Sequence, residues 1–198
     1  MRLLITRHGE TIENKAGILQ GHTEGTLSGL GIEQAEKLAA RLKNENIDII
    51  FSSDLGRAAS TARIIAEHHP GIPLIFSRDL RERHLGEFQG KTKQQCGWDS
   101  RNSNNKYPEP ENGEKTADVY LRAERFYNHL LAEHSNNNIL LVAHGFIGKV
   151  LIAVIMGKTI SDIVAVESLR NTSLSMFEID SRNNYSILTL DSIDHLEC

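Results

Sequence analysis

Three short apolar runs limit most strongly what this chain can fold into: LLI at 3–5, IDIIF at 47–51 and NILLVA at 138–143. A strand with water on one face alternates apolar and polar side chains. Near-continuous apolar runs of this length are strands covered on both faces, the habit of a parallel sheet. Between the runs the periodicity becomes helical. After Ser28, read as a helix cap, Ala35, Leu38, Ala39 and Leu42 recur at i, i+3, i+4 and i+7, which predicts one buried helical stripe. The same spacing follows Asp54, also read as a cap, in Ala58, Thr61, Ala62 and Ile65, and a third stripe runs through Val119, Ala123, Phe126 and Leu130. A further helix is expected from Gly145 to Met156, and SLSMFEI and YSILTL read as closing strands around the turn DSRNN. Strands alternating with helices predict an α/β fold with a mostly parallel central sheet, in one domain over residues 1–198.

Composition removes several classes of function. The formal net charge of -4 comes from mixed signs, with no basic run to track a nucleic-acid backbone or an anionic membrane. No nucleic acid and no membrane is therefore expected as a partner. No stretch reaches the roughly 20 apolar residues that span a bilayer, and the N-terminus enters a strand without a signal-peptide pattern, so a cytoplasmic protein is expected. Cys96 and Cys198 are the two cysteines, which indicates neither a disulfide framework nor a cysteine metal site. A homodimer is left open. Residues 91–115, KTKQQCGWDSRNSNNKYPEPENGEK, lack apolar periodicity and are longer than ordinary connections. With Trp98 and Tyr107 inside it, this segment is expected to form a partly ordered lid-like loop.

The polar residues gather where strands should end. Arg7, His8 and Gly9 follow the first run, His144 and Gly145 follow the last, and Arg57 lies in the first turn of the helix after IDIIF. In open α/β sheets ligands bind beyond the carboxyl ends of the strands. Two arginines and two histidines converging there repel one another and lose hydration, a cost that a phosphate would offset. The planar forks of Arg7 and Arg57 match phosphate oxygens bidentately. A neutral imidazole can attack phosphorus and depart again, so His8 or His144 could carry a phosphohistidine, and nearby arginines would keep that imidazole unprotonated. Gly9 and Gly145 are expected to let the backbone approach the ligand without a Cβ. His68, His69, His129, His134 and His195 read as structural or surface residues.

A departing alkoxide also needs a proton. LRERHLGEFQG at 80–90 offers Glu82, Arg83, His84 and Glu87 just before the lid segment. A carboxyl beside a bound phosphate dianion is favoured in its protonated form, which suits a general acid. Glu82 is chosen, with Glu87 the alternative.

TRHGET with Asn14, then Gln20-Gly21, SSDLGRAASTA at 52–62, LRERHLGEFQG at 80–90 and AHG at 143–145 resemble, in order and spacing, the histidine phosphatase superfamily, also called the phosphoglycerate mutase-like family. The resemblance covers nearly the whole chain. It implies a three-layer α/β/α sandwich, a small phosphorylated metabolite as substrate, and neither metal nor cofactor. It also implies that His8 is the phosphorylated nucleophile, that Arg7, Arg57 and His144 form the phosphate pocket, and that Glu82 is the proton donor. Asn14, Gln20 and Gly21 become contacts to phosphate or substrate. Lys93 is similar in offset to a substrate lysine of the cofactor-dependent mutases, which would use 2,3-bisphosphoglycerate. Those enzymes carry a paired-arginine lid where this chain has Arg101, and ENGE at 111–114 and NTSLS at 171–175 resemble the phosphatase branch instead. A phosphohistidine phosphatase is expected, with the mutase as the alternative.

Overall fold

The computed structural model describes residues 1–97 and 109–197. Its centre is a six-stranded sheet made of β1 (Arg2–Arg7), β2 (Ile49–Ser53), β3 (Leu74–Ser77), β4 (Asn138–Ala143), β5 (Leu174–Ile179) and β6 (Tyr185–Ser192). The strand order is β3-β2-β4-β1-β5-β6. β3, β2, β4 and β1 run parallel, and β5 and β6 close one side antiparallel. Five helices complete the described chain, α1 (Ile12–Lys15), α2 (Gly29–Leu42), α3 (Gly56–Ala66), α4 (Thr116–Glu133) and α5 (Gly145–Ile155).

Strand alternation divides the core into two layers. Leu3, Ile5, Ile139 and Leu141 pack with residues of α4 and α5, whereas Leu4, Leu140 and Val142 pack with residues of α2 and α3. Helices thus cover both faces, which is why the central strands carry no polar alternation. This is the three-layer α/β/α arrangement. Among the described residues no helix is long and apolar enough to cross a membrane.

Three local expectations change. A strand not expected from the sequence, β3, forms at the sheet edge from the short apolar run Leu74-Ile75-Phe76, of which Ile75 and Phe76 are exposed. β2 begins two residues later than IDIIF and ends on Ser52 and Ser53, both fully buried. Asp54 does not cap α3: the cap residue is Leu55, with no side-chain cap bond. The Asp54 carboxylate instead takes a bidentate pair from Arg81, Nε to Oδ1 at 2.7 Å and Nη2 to Oδ2 at 2.6 Å. A charged two-point bond outweighs a single amide contact. Ser28 does cap α2, accepting from the Gly31 amide at 3.0 Å. Within the proposed lid, Trp98, Arg101 and Tyr107 lie outside the described residues, as does Cys198.

Candidate active site

Register brings the site together. Arg7 pairs with Ala143 across β1 and β4, so the next residues, His8 and His144, leave the sheet side by side. The His8 amide donates to the Ala143 carbonyl at 3.1 Å. The two rings stand 5.1 Å apart between centroids, inclined by 62°. His144 caps α5 in position only, and its Nε2 lies 2.8 Å from Ser53 Oγ at the end of β2. His8 Nδ1 lies 2.7 Å from the Gly9 carbonyl. A carbonyl can only accept, so Nδ1 carries the proton and Nε2 keeps a lone pair.

Arg7 and Arg57 border the same cavity as His8 and Glu82, with a volume of about 290 Å³. Arg7 Nη1 donates to the Leu169 carbonyl at 2.9 Å. Arg57 is 1% exposed, and its two Nη atoms hold the carbonyls of Gly21 at 2.7 Å and Thr23 at 2.9 Å. The fork of Arg57 is therefore partly committed to the chain, and its Nε, like Arg7 Nε and His144 Nδ1, is buried without a partner among the described residues. Buried polar groups are ordinarily paired, so these orphans leave room for an added hydrogen-bonding ligand. Burial lowers both arginines, Arg57 to about 10, which leaves them cationic at neutral pH. Burial, then Arg7 and Arg57, drives His8 well below the usual imidazole range. His144 is lowered in the same way, by burial first, then by Arg57 and His8.

Glu82 reaches this cavity and Glu87 does not. Its carboxylate accepts the Phe146 and Ile147 amides, both at 3.1 Å, and the Arg83 amide at 2.9 Å. It thereby supplies from another segment the cap that His144 does not provide for α5. Asn14, Gln20, Gly21, Lys93 and Gly145 also border the cavity. Gln20 Nε2 donates to Thr11 Oγ1 at 2.9 Å while its Oε1 is orphaned. Gly21 has φ +54° and faces Gln89 Oε1, which a Cβ would meet at 2.4 Å. The two other glycines answer differently from expectation. A Cβ on Gly9 would lie 2.3 Å from the Gly31 carbonyl oxygen, so Gly9 serves the packing of α2, and a Cβ on Gly145 would meet Arg7 Nη1 at an ordinary 3.5 Å.

His68, His69, His129, His134 and His195 stay away from the cavity. Asn171 escaped the sequence reading. Its Nδ2 donates to the His8 carbonyl at 2.9 Å and approaches Asn14 Oδ1 at 3.5 Å. NTSLS at 171–175 contained it, but nothing local ties that segment to His8, 163 positions away. Arg83, 2% exposed and also at the cavity, was seen but given no role.

The chain is similar to known proteins over nearly its whole length. The chain is 32% identical over 203 residues to phosphoglycerate mutase-like protein 4 of Arabidopsis thaliana, covering 98% of this chain and 86% of that one. Its fold superposes on Bacillus stearothermophilus YhfR with a TM-score of 0.88 at 28% identity, over 98% of both chains. It also matches the mycobacterial glucosyl-3-phosphoglycerate phosphatase complexed with VO3, TM-score 0.87 at 28% identity, over 96% of this chain and 99% of that one. Residues 3–191 match the family model of the histidine phosphatase superfamily (branch 1). With strand-end histidines, buried arginines and fold all in accord, the chain belongs to the histidine phosphatase superfamily, a family of phosphatase and phosphotransfer enzymes.

Proposed function

We propose that this enzyme hydrolyses phosphomonoesters of small metabolites through a phosphohistidine at His8. One observation carries the proposal: His8 Nδ1 is fixed on the Gly9 carbonyl at 2.7 Å, so the unprotonated Nε2 is the nucleophile, beside Arg7 and Arg57 at one cavity. In the first half-reaction Nε2 attacks phosphorus and the bond to the ester oxygen breaks. Arg7 and Arg57 at the cavity hold the phosphoryl oxygens, and Glu82 gives its proton to the leaving alkoxide. His144 stands fully buried behind the cavity wall, 5.1 Å from the His8 ring, with an Nδ1 unpartnered among the described residues to offer once phosphate is bound. In the second, the Glu82 carboxylate takes a proton from water as the water oxygen attacks phosphorus. The N–P bond breaks, inorganic phosphate leaves, and His8 and Glu82 return to their starting states. Positive charge comes from the arginines, without a metal.

A second reading has support of its own. Lys93 borders the cavity, and a relative is named as phosphoglycerate mutase-like. In a mutase the phosphoryl group returns to another hydroxyl before water reaches it. A panel of phosphomonoesters, including 3-phosphoglycerate with and without 2,3-bisphosphoglycerate, assayed in parallel for phosphate and for isomer, separates the two. Phosphate release outrunning isomerisation is expected, and the reverse order would make the enzyme a mutase. His8→Ala should abolish turnover and the acid-labile phosphoenzyme seen on rapid quench; a variant with near wild-type rates would remove His8 from the mechanism.

A further inference from the structure

The segment that carries Glu82 has almost no regular structure of its own, since only Arg78–Leu80 form a 3-10 turn before it. A proton donor on such a segment needs external fixing to stay within reach of the leaving oxygen. The amides of Arg83, Phe146 and Ile147 hold the Glu82 carboxylate, and the main chain of the segment is held separately, by residues that do not line the cavity. Arg122, on α4, sends Nη1 to the carbonyls of Asp79 at 2.7 Å and Arg81 at 2.8 Å. Its Nη2 reaches the Glu82 carbonyl at 3.4 Å and Glu114 Oε2 at 2.9 Å, and its Nε donates to Glu114 Oε1 at 3.0 Å. A guanidinium has five N–H donors, and these contacts occupy all of them. Glu114 is tied to the same segment, because its Oε2 accepts the His84 amide at 2.8 Å and its carbonyl accepts Arg83 Nε at 2.8 Å. His22 joins the same cluster: its Nε2 donates to the Glu82 carbonyl at 2.7 Å and lies 3.9 Å from Glu114 Oε2. Arg122, Glu114 and His22 do not border the cavity, so none is placed to touch substrate.

We infer that Arg122 is a positioning residue for proton transfer: together with Glu114 and His22 it holds the Glu82 peptide so that the carboxyl meets the leaving oxygen. The inference rests on the proposed role of Glu82. A partly buried guanidinium with every donor used cannot be replaced by lysine, whose ammonium has three donors and no fork. At least two of the five bonds are then lost, and the Glu82 segment loosens while the phosphate pocket on the strand ends is left intact.

The test is a double-mutant cycle on phosphoenzyme formation, comparing an alkyl phosphate with a nitrophenyl phosphate, whose leaving group needs little protonation. Arg122→Lys should slow the alkyl ester about tenfold, part of the roughly 10²–10⁴ that a positioned general acid supplies, and the nitrophenyl ester far less. KM should move less than about twofold, because ground-state binding is untouched. In a Glu82→Gln background, Arg122→Lys should add nothing. Additive losses, or equal losses on both esters, overturn the positioning role while leaving Glu82 as the acid. If Glu82→Gln itself shows no leaving-group dependence, the role of Glu82 fails and the inference fails with it. Should Arg122→Lys unfold, as a melt would reveal, His22→Leu removes one donor to the Glu82 carbonyl and runs through the same cycle with the same deciding outcomes.

Discussion

Lowering the pH reads out the charge state of the two facing histidines. His8 is 2% exposed and His144 is fully buried, and burial beside Arg7 and Arg57 holds both well below the ordinary imidazole range. The folded chain therefore keeps them neutral at pH values where the unfolded chain has protonated them. A group whose folded pKa is depressed contributes its stability above the unfolded pKa and loses it as pH falls. With an unfolded value near 6.5, each imidazole withdraws on the order of 1 kcal/mol of folding free energy between about pH 7.5 and 5.5, and the pair on the order of 2–3 kcal/mol. His22, His69 and His195 are lowered too, each by burial first, so the difference between two proteins is the measurement. Urea unfolding of the wild type and of the His8→Gln/His144→Gln double variant, in phosphate-free buffer at both pH values, isolates the pair. The wild type should lose on the order of 2–3 kcal/mol more than the variant across that interval. Equal losses would mean that the folded pair takes up protons as readily as the unfolded chain, and would refute the lowered imidazole pKa that burial and the arginines impose.

Glu82→Gln should slow esters of poor leaving groups by about 10²-fold or more while sparing formation of phosphoenzyme from a nitrophenyl ester; equal losses on both would shift the acid role to another group, Glu87 being next. Chelation should leave the rate unchanged, because Arg7 and Arg57 supply the positive charge; activity lost in EDTA and restored by a divalent ion would contradict this. Gly9→Ala should destabilise the fold by about 1–3 kcal/mol, since its Cβ would lie 2.3 Å from a main-chain oxygen at Gly31, and should depress kcat through the neighbouring His8; an unchanged melting temperature would show that α2 can yield.

Much of the site was legible because its first layer sits at strand ends. Continuous apolar runs mark buried strands, and the residue after such a run faces the mouth of the sheet whatever its neighbours are. Arg7, His8, Arg57, His144 and Gly145 follow from that local pattern, and the resemblance to histidine phosphatases supplied the choice of His8 over His144. β3 is as apolar over Leu74-Ile75-Phe76 as the first run, and what makes it an edge strand is its parallel pairing with β2, which its own three residues do not announce. Asp54 was misread because a local cap is visible in sequence and Arg81, which took it, is not.

The sequence by itself determined the alternation of strands and helices, the strand-end cations and imidazoles, and the pair of carboxylates from which a proton donor could come. Those are properties of segments, written in the spacing of apolar side chains. Only the tertiary structure decided that Glu82 and not Glu87 enters the cavity. The same holds for Asn171, which reaches His8, and for Arg122, which gathers the carbonyls behind Glu82. The physical reason is that each of these contacts joins elements far apart in the chain. Their meeting depends on sheet register and on which helix layer covers which face, and no local periodicity encodes either.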